Sequence, residues 1–284
     1  MTAGALTARG PLDGLADAAR VPIAFFKRDR TIETSYRAGF VLRLGSAVVT
    51  VAVFFFISHS FGLASTADIS KYGADYFAFV LVGVALQQFL GQTVGGIGGS
   101  LRESQTTGTL ELMVLSPSRL STVLMSTSIW LQVSAAIGAV TYLVAGALLG
   151  ADFSHADLPA TALALLVTMV GFTGMGLLAG GVVIVIKRGN PVGWLLQGAS
   201  IVLSGVFYPT AVLPAGLQAL GELLPMTHAL VILRGSILLG TEITAAIPEF
   251  VALVALSAIY LAAGLISCSL AIRYGRTDGS LAQY

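Results

Sequence analysis

Six long apolar runs constrain the fold of this chain more than any other feature of its sequence. A transmembrane helix needs roughly 20 apolar residues to cross about 30 Å of hydrocarbon. The period-two alternation that marks membrane-barrel strands is absent, so the chain is predicted to be an all-α integral membrane protein with six transmembrane helices. The predicted spans are Phe40–Phe61, Tyr76–Gly99, Leu120–Leu149, Ala160–Ile186, Val192–Tyr208 and Pro248–Ile272.

The composition agrees with a bilayer as solvent. Hydrophobic residues make up 56% of the 284 residues and charged residues only 10%, whereas a soluble domain carries about 25% charged residues. The net charge of +1 gives no reason to expect a nucleic-acid partner. The single cysteine, Cys268, excludes an intrachain disulfide and a cysteine-based zinc site. Residues 1–39 show no apolar core of a secretion signal, so the first run is expected to stay in the membrane.

Basic residues predict the orientation, because cytoplasmic loops carry an excess of lysine and arginine. On one side of the predicted spans lie Arg9, Arg20, Lys27, Arg28, Arg30, Arg37, Arg43, Arg102, Arg119, Lys187, Arg188, Arg273 and Arg276. Only Lys71 and Arg234 fall on the other side. We therefore expect a cytoplasmic N-terminus over residues 1–39, a six-helix domain over residues 40–272 and a cytoplasmic tail over residues 273–284.

The stretch before the first span, VPIAFFKRDRTIETSYRAGF, mixes apolar side chains with a dense basic face. This pattern predicts an amphipathic helix that lies in the headgroup plane. Two interpretations remain open: an anchor that only sets the topology, or a cytoplasmic shoulder that also contacts a partner.

A second short amphipathic helix is predicted within RESQTTGTLELMVLSPSR, residues 102–119. Gly108 is a possible helix start with Glu111 near its positive end, and Ser116-Pro117 disfavours continuation. Leu110, Met113 and Val114 fall on one face. A helix of this length is not stable alone in water, so this apolar ridge must be buried, against either its own bundle or a partner.

Two motifs resemble the ABC-2 family of transporter permeases. The first consists of Arg102-Glu103, Gly108-Thr109-Leu110-Glu111 and the segment from Leu115 to Arg119. The second, between Ser204 and Gly235, resembles the exit of the family's fifth span and the outer segment that follows it. Gln105-Thr106-Thr107 departs from the more charged residues that the family often has before Gly-Thr. With the six spans, the resemblance covers nearly the whole chain.

The resemblance implies that the loop after span two is a coupling helix that binds a separate ABC ATPase. The ridge would dock in a groove on the ATPase, with charged residues at its rim. The residues implied in coupling are Arg102, Glu103, Gly108, Thr109, Leu110, Glu111, Met113, Val114, Ser116 and Pro117. ATP and Mg would bind the partner, and this chain is expected to hold no cofactor. In agreement, no P-loop pattern surrounds its three lysines, Lys27, Lys71 and Lys187.

The resemblance also implies a second permease copy, in a homodimer or a heterodimer, in the inner membrane of a bacterium and in contact with its lipids. Its cargo would be an exported drug, lipid or polysaccharide precursor. Spans two and five of the two copies would face each other, with Phe207 as a possible outer gate.

Polar residues inside the spans are candidates for the transport path. These are Gln88, Gln92, Gln197, Ser204, Phe207 and Tyr208. Gln88 and Gln92 share a helix face with Gly95 and Gly99 by steps of three and four. Such glutamines either tie helices together or line a path for an amphiphile.

Two further segments have predictable roles. Five glycines of span four, namely Gly171, Gly174, Gly176, Gly180 and Gly181, predict close helix packing. Residues 209–247 are apolar but divided by prolines, which predicts two short re-entrant helices in the outer leaflet. His228 and Arg234 within this segment are expected to be structural or interfacial.

Two other functional classes were weighed against a permease. An ATP-independent channel or secondary transporter usually places acids or bases inside its spans, and this chain has almost none there. An intramembrane enzyme is disfavoured because the sequence contains neither an H-E-x-x-H site nor a G-x-S-G nucleophile element.

Overall fold

The computed structural model describes residue 20 and residues 22–31, 37–60, 75–109, 120–186 and 189–277. Residues 22–31 form an N-terminal helical segment. The principal helices that follow are α1 (Arg37–Ser60), α2 (Tyr76–Thr106), α3 (Leu120–Leu148), α4 (Leu158–Ile186), α5 (Pro191–Leu203), α6 (Ala215–Gly221), α7 (Pro225–Leu238) and α8 (Ile247–Thr277). Short 3-10 turns occupy Thr210–Val212 and Ile243–Ala246. These ranges contain no strand, so the predicted all-α class is confirmed for the described residues.

Five of these helices, α1, α2, α3, α4 and α8, are long and apolar enough to cross a membrane within the described ranges. They correspond to the first four predicted spans and the last. Helix α2 continues seven residues beyond the predicted end at Gly99 and reaches Thr106. At about 1.5 Å per residue, its 31 residues form a rod about 46 Å long.

The fifth predicted span, Val192–Tyr208, is wrong in its extent. Helix α5 has 13 residues and ends at Leu203, so it is only about 20 Å long. Ser204 closes the helix, and Gly205 takes a φ of +75°, a left-handed conformation that glycine adopts without a steric penalty. The backbone then runs on through Val206 to Pro209 without helical structure.

Helix α2 lies at the centre of the bundle. Most of its residues between Phe77 and Leu101 are buried, against α3 on one side and α4 on another. Helix α1, by contrast, leaves most of its apolar side chains exposed. In a membrane protein, exposed apolar side chains of this kind face the lipid.

Close packing of α4 uses its glycines, as predicted. A Cβ at Gly174 would collide with the backbone of Tyr260 and Leu261 in α8, and Gly171 and Gly181 also face α8. Gly176 and Gly180 instead face Ile97 and Leu101 of α2. The close-packing prediction is therefore confirmed for all five positions.

Two short helices follow α5 in the segment where prolines divide the sequence. Helices α6 and α7 meet at an angle of 88°. Thirteen of the 14 residues of α7 are buried, from Pro225 to Leu238, with only Val231 partly exposed. Backbone of this kind, too short to span alone, is tolerated at membrane depth only where protein surrounds it.

Candidate functional site

The inner end of α2, as the charge pattern orients it, carries the first residues of the predicted coupling motif. Arg102 and Glu103 are exposed on the last turns of the helix. Gly108 follows the helix with a φ of +70°, the left-handed conformation that commonly closes a helix C-terminus. Gly108 therefore ends α2, whereas the sequence was interpreted only as the start of the next helix. Thr109 is helical.

The core of the predicted coupling helix lies outside the described residues. This applies to Leu110, Glu111, Met113, Val114, Ser116 and Pro117. The described flanks are Thr109 on one side and the start of α3 on the other.

Gln105, Thr106 and Thr107, which depart from the family pattern, fix this end of α2. Gln105 is buried, and its Nε2 donates to the carbonyl oxygen of Ile184 in α4, 3.2 Å away. The hydroxyls of Thr106 and Thr107 donate to the carbonyl oxygen of Glu103 at 2.9 and 2.8 Å. The Ile184 carbonyl lies in the last turn of α4, where a helix leaves carbonyls without an intrahelical partner. The Glu103 carbonyl also accepts from the backbone N–H of Thr107, 2.9 Å away. No sequence pattern indicates the contact with α4, because Ile184 contributes only its backbone carbonyl.

The N-terminal helical segment packs beside this end of α2. The ring of Phe26 meets the ring of Trp130 in α3 edge-on, with centroids 5.2 Å apart. A cavity of about 440 Å³ lies between Arg28 and Asp29 of the segment and Glu103 and Thr109 of the coupling motif. The segment thus lies beside the end of α2 that leads into the coupling loop, and both interpretations of it, an anchor or a shoulder that contacts a partner, stay open.

Arg234 organises the opposite end of α2. Its side chain is only 4% exposed, and its guanidinium donates to the carbonyl oxygens of Gly205 and Val206 at 3.0 and 2.9 Å. A third bond reaches the carbonyl oxygen of Phe79 at 3.2 Å, and the guanidinium carbon lies 3.4 Å from the centroid of the Phe79 ring. We call this group the Arg234 clasp. It satisfies the non-helical backbone that follows α5, as a water-free environment requires.

Four of the predicted path residues lie on α5 or at its exit. Gln197 accepts a weak hydrogen bond from Gln87 through its carbonyl, at 3.5 Å. Ser204 is buried, with no hydrogen-bond partner for its hydroxyl among the described residues. The ring of Phe207 stacks on Phe54 of α1 with centroids 5.6 Å apart, and the Tyr208 hydroxyl donates to the carbonyl of Val202.

The other two predicted path residues, Gln88 and Gln92, face a different cleft between α1, α2 and α3. Gln88 Nε2 donates to the Tyr142 hydroxyl at 2.7 Å, and Gln92 Nε2 donates to Ser134 Oγ at 3.2 Å. Arg43 of α1 donates to the same Ser134 Oγ at 2.8 Å. The structure therefore separates the six predicted residues into at least two environments. From the sequence, Arg43 was interpreted as a marker of orientation, and nothing there indicated its contact with Ser134.

An open face remains on α2 beside this cleft. A Cβ at Gly95 or Gly99 would meet no atom of the described chain within 4 Å, and the same holds for Gly198 of α5. Trp194 of α5 is 82% exposed. Small residues on exposed helix faces permit close approach of another helix in a membrane.

His228 is buried at the start of α7, as a structural role requires. Its Nδ1 lies 2.5 Å from Glu249 Oε2 at the start of α8, and its Nε2 lies 2.9 Å from the carbonyl oxygen of Glu222. These contacts join the α6–α7 corner to α8. The prediction of a structural role for His228 agrees with this geometry.

The fold and these contacts define a multi-pass helical membrane protein with a buried polar framework. Comparison with known protein families shows the family to which the chain belongs. The ABC-2 type transporter family matches residues 28–238, more than half of the chain. The chain therefore belongs to the ABC-2 type transporter family, and it is a permease of an ABC transporter and not itself an ATPase. No curated protein matches it.

Proposed function

We propose that this chain is the membrane subunit of a bacterial exporter driven by ATP hydrolysis on a separate subunit. The family normally pairs with an ABC ATPase. The observation that carries the proposal is the inner end of α2, where Gln105 and two threonines fix the helix immediately before Gly108 of the coupling motif. If the C-terminal end of α2 is held in place, a movement of the partner at this end also moves the helix bundle. A frayed helix end would unfold locally instead.

The ridge formed by Leu110, Met113 and Val114 is proposed to dock on that ATPase. The exposed side chains of Arg102 and Glu103 flank the approach from α2. Gly108, Thr109, Glu111, Ser116 and Pro117 are proposed to belong to the same coupling segment. ATP and Mg bind to the partner, and the permease itself holds no cofactor in this scheme.

A second permease chain, identical or related, is proposed to cover the open face of α2 and α5. Gly95, Gly99 and Gly198 leave room there for another helix. Gln197 and the α5 exit, with Ser204, Phe207 and Tyr208, would line the path between the two chains. Gln88 and Gln92, in the cleft between α1 and α3, are left outside this path. The cargo class proposed is an amphiphile such as a lipid, a drug or a lipid-linked polysaccharide.

We also propose an inner-membrane location with both termini in the cytoplasm. The support is the charge asymmetry of the loops. Arg234 is buried in the clasp and is not a loop residue, so it carries little weight as an outer positive charge.

Replacement of Leu110 by aspartate tests the coupling proposal. Leu110→Asp is expected to abolish capture of the ATPase with the permease from native membranes, because it places a charge on the apolar ridge. Leu110→Met, which keeps the ridge apolar, is the matched control and should retain the ATPase. Both variants should reach the membrane in equal amounts. Full capture of the ATPase by Leu110→Asp would overturn the docking proposal.

A further inference from the structure

The cleft between α1, α2 and α3 has a polar end and an apolar end. The polar end encloses about 310 Å³ and is lined by Arg43, Gln88, Gln92, Ser134 and Tyr142, among others. An apolar groove of about 520 Å³ adjoins it along the outer surface of α3. The two share Leu44, Ile137 and Thr141 as lining residues, so one continuous surface changes from polar to apolar.

The polar end carries several hydrogen-bond donors. The Tyr142 hydroxyl accepts from Gln88 and donates to no described residue, so its proton is available to a ligand. The amides of Gln88 and Gln92 each carry a second N–H. The Arg43 guanidinium carries five N–H groups, one of which donates to Ser134 Oγ. Among the described lining residues, the one formal charge is that of Arg43. Such a surface suits an oxygen-rich anion, because charge-assisted hydrogen bonds to phosphate are the strong ones.

The apolar groove suits a hydrocarbon chain. Val140 and Val144 line it and are about half exposed, and Met169 of α4 closes one side. A ligand that fills both parts must carry an anionic head and an apolar tail within a short distance.

We infer that this cleft is a binding site for an anionic phospholipid, with its phosphate at Arg43 and Tyr142 and an acyl chain along Val140 and Val144. The site is complete within one chain. It therefore depends on neither the ATPase, the second copy nor the identity of the cargo, and it stands or falls independently of the proposed function.

Native mass spectrometry of the purified full chain tests this inference. Phosphatidylglycerol is expected to stay bound at activation energies that strip phosphatidylcholine. Arg43→Gln should weaken phosphatidylglycerol binding about tenfold, and Tyr142→Phe by about two- to fivefold, as expected for hydrogen bonds with and without a charged partner. Arg273→Gln, an exposed arginine on α8, is the matched control for general attraction of anionic lipid and should leave the affinity unchanged.

Inorganic phosphate and glycerol phosphate distinguish a lipid site from a simple anion site. Neither is expected to bind measurably at millimolar concentration, because the groove supplies much of the affinity for the lipid. Val140→Asn should weaken phosphatidylglycerol binding through the groove alone. Tyr142→Phe removes a single oxygen and Val140 is exposed, so both of these variants are expected to fold. They test the inference even if Arg43→Gln does not fold. Equal loss in Arg43→Gln and Arg273→Gln, or Arg43-dependent binding of inorganic phosphate, would overturn the inference.

Discussion

Arg234 donates a hydrogen bond to the carbonyl oxygen of Val206, 2.9 Å away, and so joins α7 to the non-helical backbone after α5. The same guanidinium reaches Gly205 and Phe79. One buried cation thereby binds three carbonyl oxygens, two from the adjacent residues Gly205 and Val206 and one from Phe79, more than 100 residues earlier. In a low-dielectric environment each of these oxygens would be costly to leave unpaired.

Replacement of Arg234 by methionine is expected to destabilise the protein by about 3 kcal/mol or more, since it orphans buried carbonyl oxygens. The measurement is thermal unfolding of the purified protein in detergent. Arg234→Lys should fall between the wild type and Arg234→Met, because an ammonium cannot reproduce the planar fork of a guanidinium. Arg102→Met, at an exposed position, should change stability by no more than about 0.5 kcal/mol. An unchanged melting temperature in Arg234→Met would show that the clasp is not needed.

Gly83 is expected to be essential for the same contact. A Cβ at this position would overlap the carbonyl oxygen of Val206 and lie 2.8 Å from an Arg234 nitrogen. Gly83→Ala should therefore cost about 1–3 kcal/mol through overpacking, despite the better helix propensity of alanine. Gly45→Ala on α1 is the control, since its Cβ would meet nothing within 4 Å; it should be neutral or slightly stabilising. Equal melting temperatures for the two variants would contradict the close approach of α2 to Val206.

Gly95 tests the proposed second copy. Gly95→Leu projects into open space in the single chain, so it should not lower the stability of the monomer. It is expected to weaken self-association or pairing with a related permease about tenfold, because a large side chain would separate the two helices. Chemical cross-linking in membranes and light scattering in detergent measure this. Gly45→Leu is the matched variant on α1 and should leave the assembly intact. If Gly95→Leu assembles like the wild type, the partner does not cover this face.

Accessibility of single cysteines tests the proposed orientation. With Cys268→Ser as background, a cysteine in place of Thr106 should react with an impermeant maleimide only from the cytoplasmic side. A cysteine in place of Asp152, in the segment between α3 and α4, should react only from the outside. Both native residues are exposed, so reactivity reports sidedness and not burial. The reverse pattern would place the coupling motif on the wrong side for a cytoplasmic ATPase.

The sequence predicted features that depend on local pattern. Apolar runs located five spanning helices, because each run carries its own length and hydropathy. The glycines of α4 predicted close packing, since a missing side chain is visible in the sequence whatever its neighbour. Prolines at positions 209, 214 and 225 predicted the breaks around the short helices, since proline is also recognisable from the sequence alone.

Features that depend on distant partners were not predictable. Arg43 and Ser134 are 91 residues apart, and nothing in either stretch indicates the other. The acceptors of Arg234 are backbone carbonyls, which leave no mark on residue type. The extent of α5 was overestimated because its apolar character continues through Val206 and Phe207, whereas the helix stops at Leu203.

The placement of the glutamines illustrates the same limit. Spacing showed that Gln88 and Gln92 share a face of α2, and the structure agrees. Spacing alone does not tell which helix stands opposite that face. The hydrogen bonds to α3 place Gln88 and Gln92 in a different cleft from Gln197, which lies on α5.

Helix α2 runs without a break from one end of the helix bundle to the other. Near its beginning, Phe79 is bonded to Arg234, and at its other end Gln105 is bonded to α4. Along the helix axis, Phe79 and Thr106 are about 40 Å apart. We expect this one helix to carry any movement at the coupling motif to the segment that follows α5.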